Sequence, residues 1–167
     1  MTLQLNGASR LYPIIGDPIA QVKSPAGVSE TLQAAGLNAL VVPLHVAPAD
    51  VGACFAALAT IRNVDGLIIT IPHKFAASVA CATLSPRAQF LGAANTLRRN
   101  LDGTFHGDMF DGLGYVAARR KNGCEPAGKR VLLAGAGGAG SAIAHALLEA
   151  GAAVLAIHEP DVARRAH

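Results

Sequence analysis

The chain has 167 residues, of which 51% are hydrophobic and 15% charged, with a formal net charge of +3. This length holds about one domain, or one small domain and part of another, and the apolar content excludes intrinsic disorder. The basic residues are scattered apart from Arg119-Arg120-Lys121, Lys129-Arg130 and Arg164-Arg165, which argues against a nucleic-acid partner.

No apolar run reaches the roughly 18 residues of a membrane span, and Met1 to Arg10 lacks the pattern of a signal peptide. Cys54, Cys81 and Cys124 fit no zinc spacing, so no metal is expected, and a reducing, cytoplasmic compartment is. Cys54 and Cys81 fall in predicted helices and read as small core residues. Aromatic residues make up only 4%, and the apolar mass is Ala, Val, Leu and Ile, a composition suited to α/β layers.

In chain order, Tyr12 to Gly16 reads as a first strand. The loop from Gly16 to Pro25 carries two prolines, and Ser24 is placed as the N-cap of a helix from Pro25 to Ala35. Such a helix start can present a hydroxyl and backbone N–H groups to an oxygen-rich ligand, or can simply be a capped helix. Ala39 to Leu44 is a second strand, and Pro48 to Thr60 an amphipathic helix with Val51, Phe55, Leu58 and Ile61 at helical spacing.

Leu67 to Thr70 is a short, β-branched run of the kind buried on both faces of a parallel sheet. Pro72 ends it, because proline cannot donate to a strand ladder. Lys74 follows at the start of a helix from His73 to Ala82. Ligands of open α/β sheets bind beyond the carboxyl ends of the strands, where Lys74 is expected. The alternation of strand and helix predicts right-handed crossovers and a mostly parallel sheet.

After a Ser85-Pro86 break, Gly92-Ala93-Ala94-Asn95-Thr96-Leu97 enters a strand, and Asp102-Gly103 turns it into a hairpin partner from Thr104 to Asp108. Asn95 could address a hydroxyl or brace its loop. Asp111 is placed as the N-cap of a helix from Gly112 to Lys121, at the boundary between residues 1–111 and 112–167.

Arg130 to Ala134 is an apolar strand running into Gly135-Ala136-Gly137-Gly138-Ala139-Gly140, which opens a helix from Ser141 to Ala150. A G-x-G-x-x-G between strand and helix is the dinucleotide turn; its backbone approaches a pyrophosphate at the helix N-terminus. Glu159 and Asp161 follow the next strand, Val154 to Ile157. Acidic groups there accept from a ribose 2′-OH and repel a 2′-phosphate, so NAD is favoured over NADP, with Arg164 and Arg165 the argument for NADP. His73, His106 and His145 read as a motif neighbour, a strand residue and a helix-face residue.

Gly16-Asp17-Pro18-Ile19-Ala20-x-x-Lys23-Ser24-Pro25, Thr70-Ile71-Pro72-His73-Lys74, Gly92-Ala93-Ala94-Asn95-Thr96 and Gly107-Asp108-x-x-Asp111-Gly112 occur in that order. With the glycine hexad they give a chain that resembles the shikimate/quinate dehydrogenase family over nearly its whole length. The resemblance implies an N-terminal, mostly parallel α/β substrate domain and the start of a Rossmann nucleotide-binding domain. It also implies reversible hydride transfer between a ring hydroxyl and a nicotinamide. By that resemblance Lys74 is the catalytic lysine and Asp111 its carboxylate partner. Ser24, Thr70 and Asn95 would bind a cyclic hydroxy-acid, and the glycines with Ala139, Glu159 and Asp161 would contact the cofactor.

Val22 stands where the family usually has a hydroxyl residue, and Met109-Phe110 where it usually has Asn-Thr. The expected substrate is therefore shikimate, quinate or a related polyol acid. Only two strands of the nucleotide domain precede His167, against about six in a full one. A truncated chain with exposed apolar sheet surface is expected, and a non-catalytic hydroxy-acid-binding module is the alternative. A homodimer is compatible with either.

Overall fold

A computed structural model describes residues 5–162 and divides the chain into two compact units, 1–108 and 109–167. The expected boundary at residue 111 falls three residues later, and the helix that follows it belongs to the second unit.

The first unit contains β1 (Arg10–Gly16), α1 (Ser24–Ala34), β2 (Ala39–His45), α2 (Val51–Thr60), β3 (Gly66–Ile69), α3 (Lys74–Ala80), β4 (Thr83–Leu84), α4 (Pro86–Leu91), β5 (Thr96–Arg99) and β6 (Phe105–Asp108). Its sheet has the order β2-β1-β3-β5-β6-β4. β1 pairs in parallel with β2 and β3, and β4 with β6, whereas β5 runs antiparallel to both β3 and β6.

The register puts Ile15 beside Ile69, so β1 and β3 end together. Ile15, Leu67, Ile69 and Leu97 are almost fully buried and form the core with Val51, Phe55 and Leu58 of α2. These α2 positions recur at helical spacing and turn one face to the sheet. Ile61, the fourth expected member of that stripe, follows the helix in extended conformation and is exposed.

The β5–β6 hairpin turns where Asp102-Gly103 predicted. Gly103 takes φ +88°, and Asp102 accepts from both the Thr104 N–H and the Thr104 hydroxyl. The helix expected through Ala82 stops at Ala80, because Cys81 is extended and leads into the short strand β4. Ser85 then caps α4, accepting from the Ala88 N–H, with Pro86 in the first turn. A two-residue strand and a six-residue helix are too short to leave a periodic signal.

The second unit contains α5 (Asp111–Lys121), β7 (Arg130–Ala134), α6 (Gly138–Glu149) and β8 (Val154–His158). β7 and β8 pair in parallel as a two-stranded sheet. Val116, Ala146 and Leu147 form its small core, with Val131, Ile143 and Leu155 against them. α5 and α6 cross at Gly112, where an added Cβ would sit 2.7 Å from the Ala142 carbonyl carbon and 2.8 Å from the Ala146 Cβ. On the other face of the sheet Leu132 and Val154 are exposed.

Candidate active site

The ends of β1, β3 and β5 carry the expected substrate residues. Thr70 follows β3, and its N–H donates to Ile15 O at 2.9 Å, extending the β1 pairing by one residue. The next N–H, that of Asp17, donates to Ile71 O at 2.9 Å. Gly16 is needed here: a Cβ would meet the Thr70 methyl group and stand 3.0 Å from Ile71 O. The loop leaving β1 and the segment leaving β3 are thus joined backbone to backbone. The Asp17–Pro18 and Ile71–Pro72 peptides are both cis.

Lys74 opens α3, and its carbonyl accepts from the Ala94 N–H at 2.9 Å. Asn95, the next residue, accepts at its carbonyl from the Ile69 N–H at 2.8 Å and donates its own N–H to Asp108 O at 3.0 Å. Its side-chain oxygen accepts from the Thr96 hydroxyl at 3.1 Å. Thr70, Lys74 and Asn95 are therefore brought together by a chain of backbone bonds, each side chain half-buried.

Ser24 stands at the far end of the loop that begins at Asp17. It is not the N-cap: Lys23 takes that position without a side-chain bond, and Ser24 is the first residue of α1. With Pro25 in the first turn, one fewer N–H group needs a cap. Asp111 likewise is not the N-cap of α5; Phe110 is. Asp111 lies inside the first turn, where a carboxylate complements the helix dipole.

The sequence reading missed a clamp on the Asp108 side chain. Arg87 grips Asp108 with Nε at 2.8 Å and a terminal nitrogen at 2.5 Å, and the Ser85 hydroxyl donates to the same carboxylate at 2.5 Å. This clamp fastens the start of α4 to the end of β6. The sequence marked Ser85-Pro86 only as a break. His106 is bonded to Thr83 at 2.8 Å, tying β6 to β4, and His145 pairs with Glu149 at 3.3 Å along α6, so both fit structural duties. Among the described residues no group of three metal-ligating side chains occurs, and no helix is long and apolar enough to cross a membrane.

In the second unit the glycine hexad joins β7 to α6. Gly135 takes φ +92°, which favours glycine, and a Cβ on Gly140 would collide with the Gly135 carbonyl. Gly137 precedes the helix with no side-chain cap, so the first N–H groups of α6 face outward from a turn without side-chain bulk. These features suit a pyrophosphate. Ala139 is exposed in the first turn.

Glu159 behaves differently. It is only 7% exposed, and its carboxylate accepts from the Ala136 N–H at 2.5 Å and the Asp161 N–H at 2.9 Å. It braces the glycine turn from behind. Asp161 is exposed, while Arg164 and Arg165 lie outside the described residues.

A lysine seated at the strand ends of one α/β unit, followed by a strand, glycine turn, helix and strand, defines a two-unit α/β protein of dehydrogenase architecture. Residues 14–97 match the family model described as the shikimate dehydrogenase substrate binding domain, and the chain belongs to the shikimate dehydrogenase family. It is 42% identical over 150 residues to the shikimate dehydrogenase (NADP(+)) of Acidiphilium cryptum, covering 90% of this chain and 54% of that one. It is 37% identical over 163 residues to the enzyme of the same name from Geobacter metallireducens, covering 97% and 56%. Among solved structures it superposes on the shikimate 5-dehydrogenase of Thermus thermophilus in complex with NADP(H) and shikimate with a TM-score of 0.82, at 30% identity, covering 93% of this chain and 57% of that one. The chain spans about half the length of the curated relatives it matches.

These relatives overturn the expected preference for NAD, since they are named for NADP(+). The physical reason is the orientation of Glu159. Glu159 is buried and bonded to the Ala136 N–H of the glycine turn and the Asp161 N–H of its own loop, so it is not the exposed acidic group on which the expectation of NAD rested.

Proposed function

We propose that the complete protein is an NADP-dependent dehydrogenase that interconverts a ring hydroxyl and a ketone on shikimate or a close cyclic polyol acid, quinate among them. The observation that carries this reading is the bonded seat of Thr70, Lys74 and Asn95 at the ends of β3 and β5. Lys74 takes the hydroxyl proton in the oxidation, as an amine, and returns it in the reduction, as an ammonium. Asp111 orders the lysine and a neighbouring substrate hydroxyl. Ser24, Thr70 and Asn95 hold the remaining hydroxyls and the carboxylate. Val22 supplies no hydrogen bond to that carboxylate, which leaves Ser24 the larger share.

Bound NADP supplies the hydride acceptor and donor. Gly135, Gly137, Gly138, Ala139 and Gly140 would hold its pyrophosphate, with Glu159 shaping the turn from the protein side. The direct test is Lys74→Ala in the complete enzyme, assayed with NADP+ against shikimate and quinate. Turnover should fall by about 10³-fold or more while substrate affinity changes little. A variant that retains wild-type turnover would remove Lys74 from the chemistry.

A binding-only reading draws on one fact: Ser24, Thr70, Lys74 and Asn95 all lie within residues 1–108. Calorimetric titration of shikimate into the 167-residue chain tests it, with a saturable heat expected and a flat titration counting against it.

A further inference from the structure

Lys74 begins a helix of only seven residues, too short to hold its own orientation in water. Its anchors come from elsewhere. Ser78 donates to Gly92 O at 2.6 Å, Ala77 is fully buried, and the Lys74 carbonyl takes the Ala94 N–H. All these ties lie along the helix or toward the Gly92–Asn95 segment. On the side of the β2–α2 loop the tie is the residue before the lysine.

His73 is 2% exposed, an unusual setting for an imidazole. Its Nε2 lies 2.7 Å from the carbonyl oxygen of Val46. A carbonyl oxygen only accepts, so Nε2 carries a proton and donates it. Val46 in turn donates its N–H to Gly16 O at 3.2 Å, and the Asp17 N–H returns to Ile71 O at 2.9 Å. The bonds close a ring that runs from the end of β1, through Val46, to His73, back along Pro72 and Ile71, and home to Asp17. Lys74 leaves this ring on one side and the loop to Ser24 on the other.

We propose that His73 is a positioning residue: its Nε2–H bond to the Val46 carbonyl sets where the Lys74 amine stands relative to the substrate loop that starts at Asp17. This rests on the dehydrogenase reading for its consequence but not for its geometry. A misplacement of about 1 Å in a catalytic group costs up to about 100-fold in rate, whereas filling the same cavity without the bond leaves substrate contacts largely in place.

His73→Met keeps the bulk and removes the donor, and His73→Gln restores an N–H at similar reach. In the complete enzyme, His73→Met should lower kcat about 10- to 100-fold with KM for shikimate within about threefold, and His73→Gln should recover most of kcat. A purely structural histidine would lower the melting temperature of both variants and leave kcat per folded molecule unchanged, which overturns the proposal. So does equal loss of kcat in the two variants.

A second readout needs no turnover. Competitive acetylation of the 167-residue chain at pH 8, followed by mass spectrometry, compares Lys74 with Lys23, Lys121 and Lys129 as internal references. The Lys74 ratio should shift at least about threefold in His73→Met and return in His73→Gln. An unchanged ratio in a folded variant overturns the proposal. If His73→Met does not fold, His73→Leu takes its place with the same expectations: lower kcat and a shifted Lys74 ratio in His73→Leu with recovery in His73→Gln support positioning through the N–H, and equal values in the two refute it. A wild-type enzyme inactive on shikimate and quinate, combined with a shifted Lys74 ratio, would sink the substrate assignment and leave the positioning role standing.

Discussion

Two glycines in α5, only two residues apart in sequence but on different faces of the helix, test how the second unit is held together. Gly114 is exposed, and a Cβ there meets nothing within 4 Å. Gly114→Ala should therefore show only the helix-propensity gain, a stabilisation of about 0.8–1.0 kcal/mol. Gly112 is buried where α5 crosses α6, with the Ala142 carbonyl group and the Ala146 Cβ inside the volume an added methyl needs.

Ordinary contact begins near 3.4 Å; the added methyl would overlap the Ala142 carbonyl oxygen outright and stand 2.7 Å from its carbon, so the helices must part. Overpacking of this kind costs about 1–3 kcal/mol, and a backbone obstacle places the cost at the upper end. After subtracting the propensity gain of about 1 kcal/mol, Gly112→Ala should destabilise by about 2 kcal/mol. In a chain of this size that lowers the melting temperature by about 4–8 °C, while Gly114→Ala raises it by about 2–4 °C. Urea titration followed by circular dichroism gives both values, and Tyr115 on α5 adds a local signal. Equal responses of the two variants, or a stabilised Gly112→Ala, would refute the close crossing of α5 and α6.

Glu159→Ala removes the acceptor for two backbone N–H groups and should destabilise the protein by about 1–3 kcal/mol without tightening NADP+ binding in the complete enzyme; a tenfold gain in NADP+ affinity at unchanged stability would show the carboxylate to be a cofactor determinant after all. Burial pushes the Cys81 thiol up to about 11. At pH 8 its alkylation should run about 100-fold slower than that of an unperturbed thiol, and peptide mapping that finds Cys81 among the fast-reacting cysteines would contradict its packing. Arg10, paired with Asp65 beside β1, holds the Asp65 carboxyl below its usual value of 3.8. A depressed folded-state value means that this stabilisation is complete above about pH 4 and disappears as pH falls through the lower folded value. Asp65→Asn should cost under about 1 kcal/mol at pH 7, because the pair is partly exposed, and the difference from wild type should shrink as pH falls below the usual carboxylate value; a penalty that grows toward low pH has the wrong sign for this linkage.

The parts of the fold that repeat a simple period were readable before any coordinates. β3 and α2 show it: a β-branched run closed by Pro72, and apolar positions of α2 at helical intervals, leave one arrangement that buries both. The strand, hexad and helix around Gly135 to Gly140 are equally local, since the turn needs glycine for backbone reasons alone. Sequence order also brought Lys74 to the end of a strand. It could not show β4, whose two residues gain their stability from β6 rather than from their own pattern. The caps at Ser24 and Asp111 were misplaced by one residue for a related reason. Capping residues resemble one another, and the surrounding loop decides which of them adopts helical angles.

What residue identity determined is thus the set of chemical groups and the elements that carry them: a lysine, a hydroxyl and an amide beside strand ends, a serine opening a helix, and a glycine turn opening another. The pairing of those elements was decided only by the tertiary fold. Asp17 bonds to Ile71, Lys74 to Ala94 and His73 to Val46 across separations that no local pattern encodes. The same is true of Glu159. Its residue type announces an acceptor, but whether it faces a ribose or the glycine turn depends on where the Ala136 N–H stands, and that is set by how β8 returns beside β7.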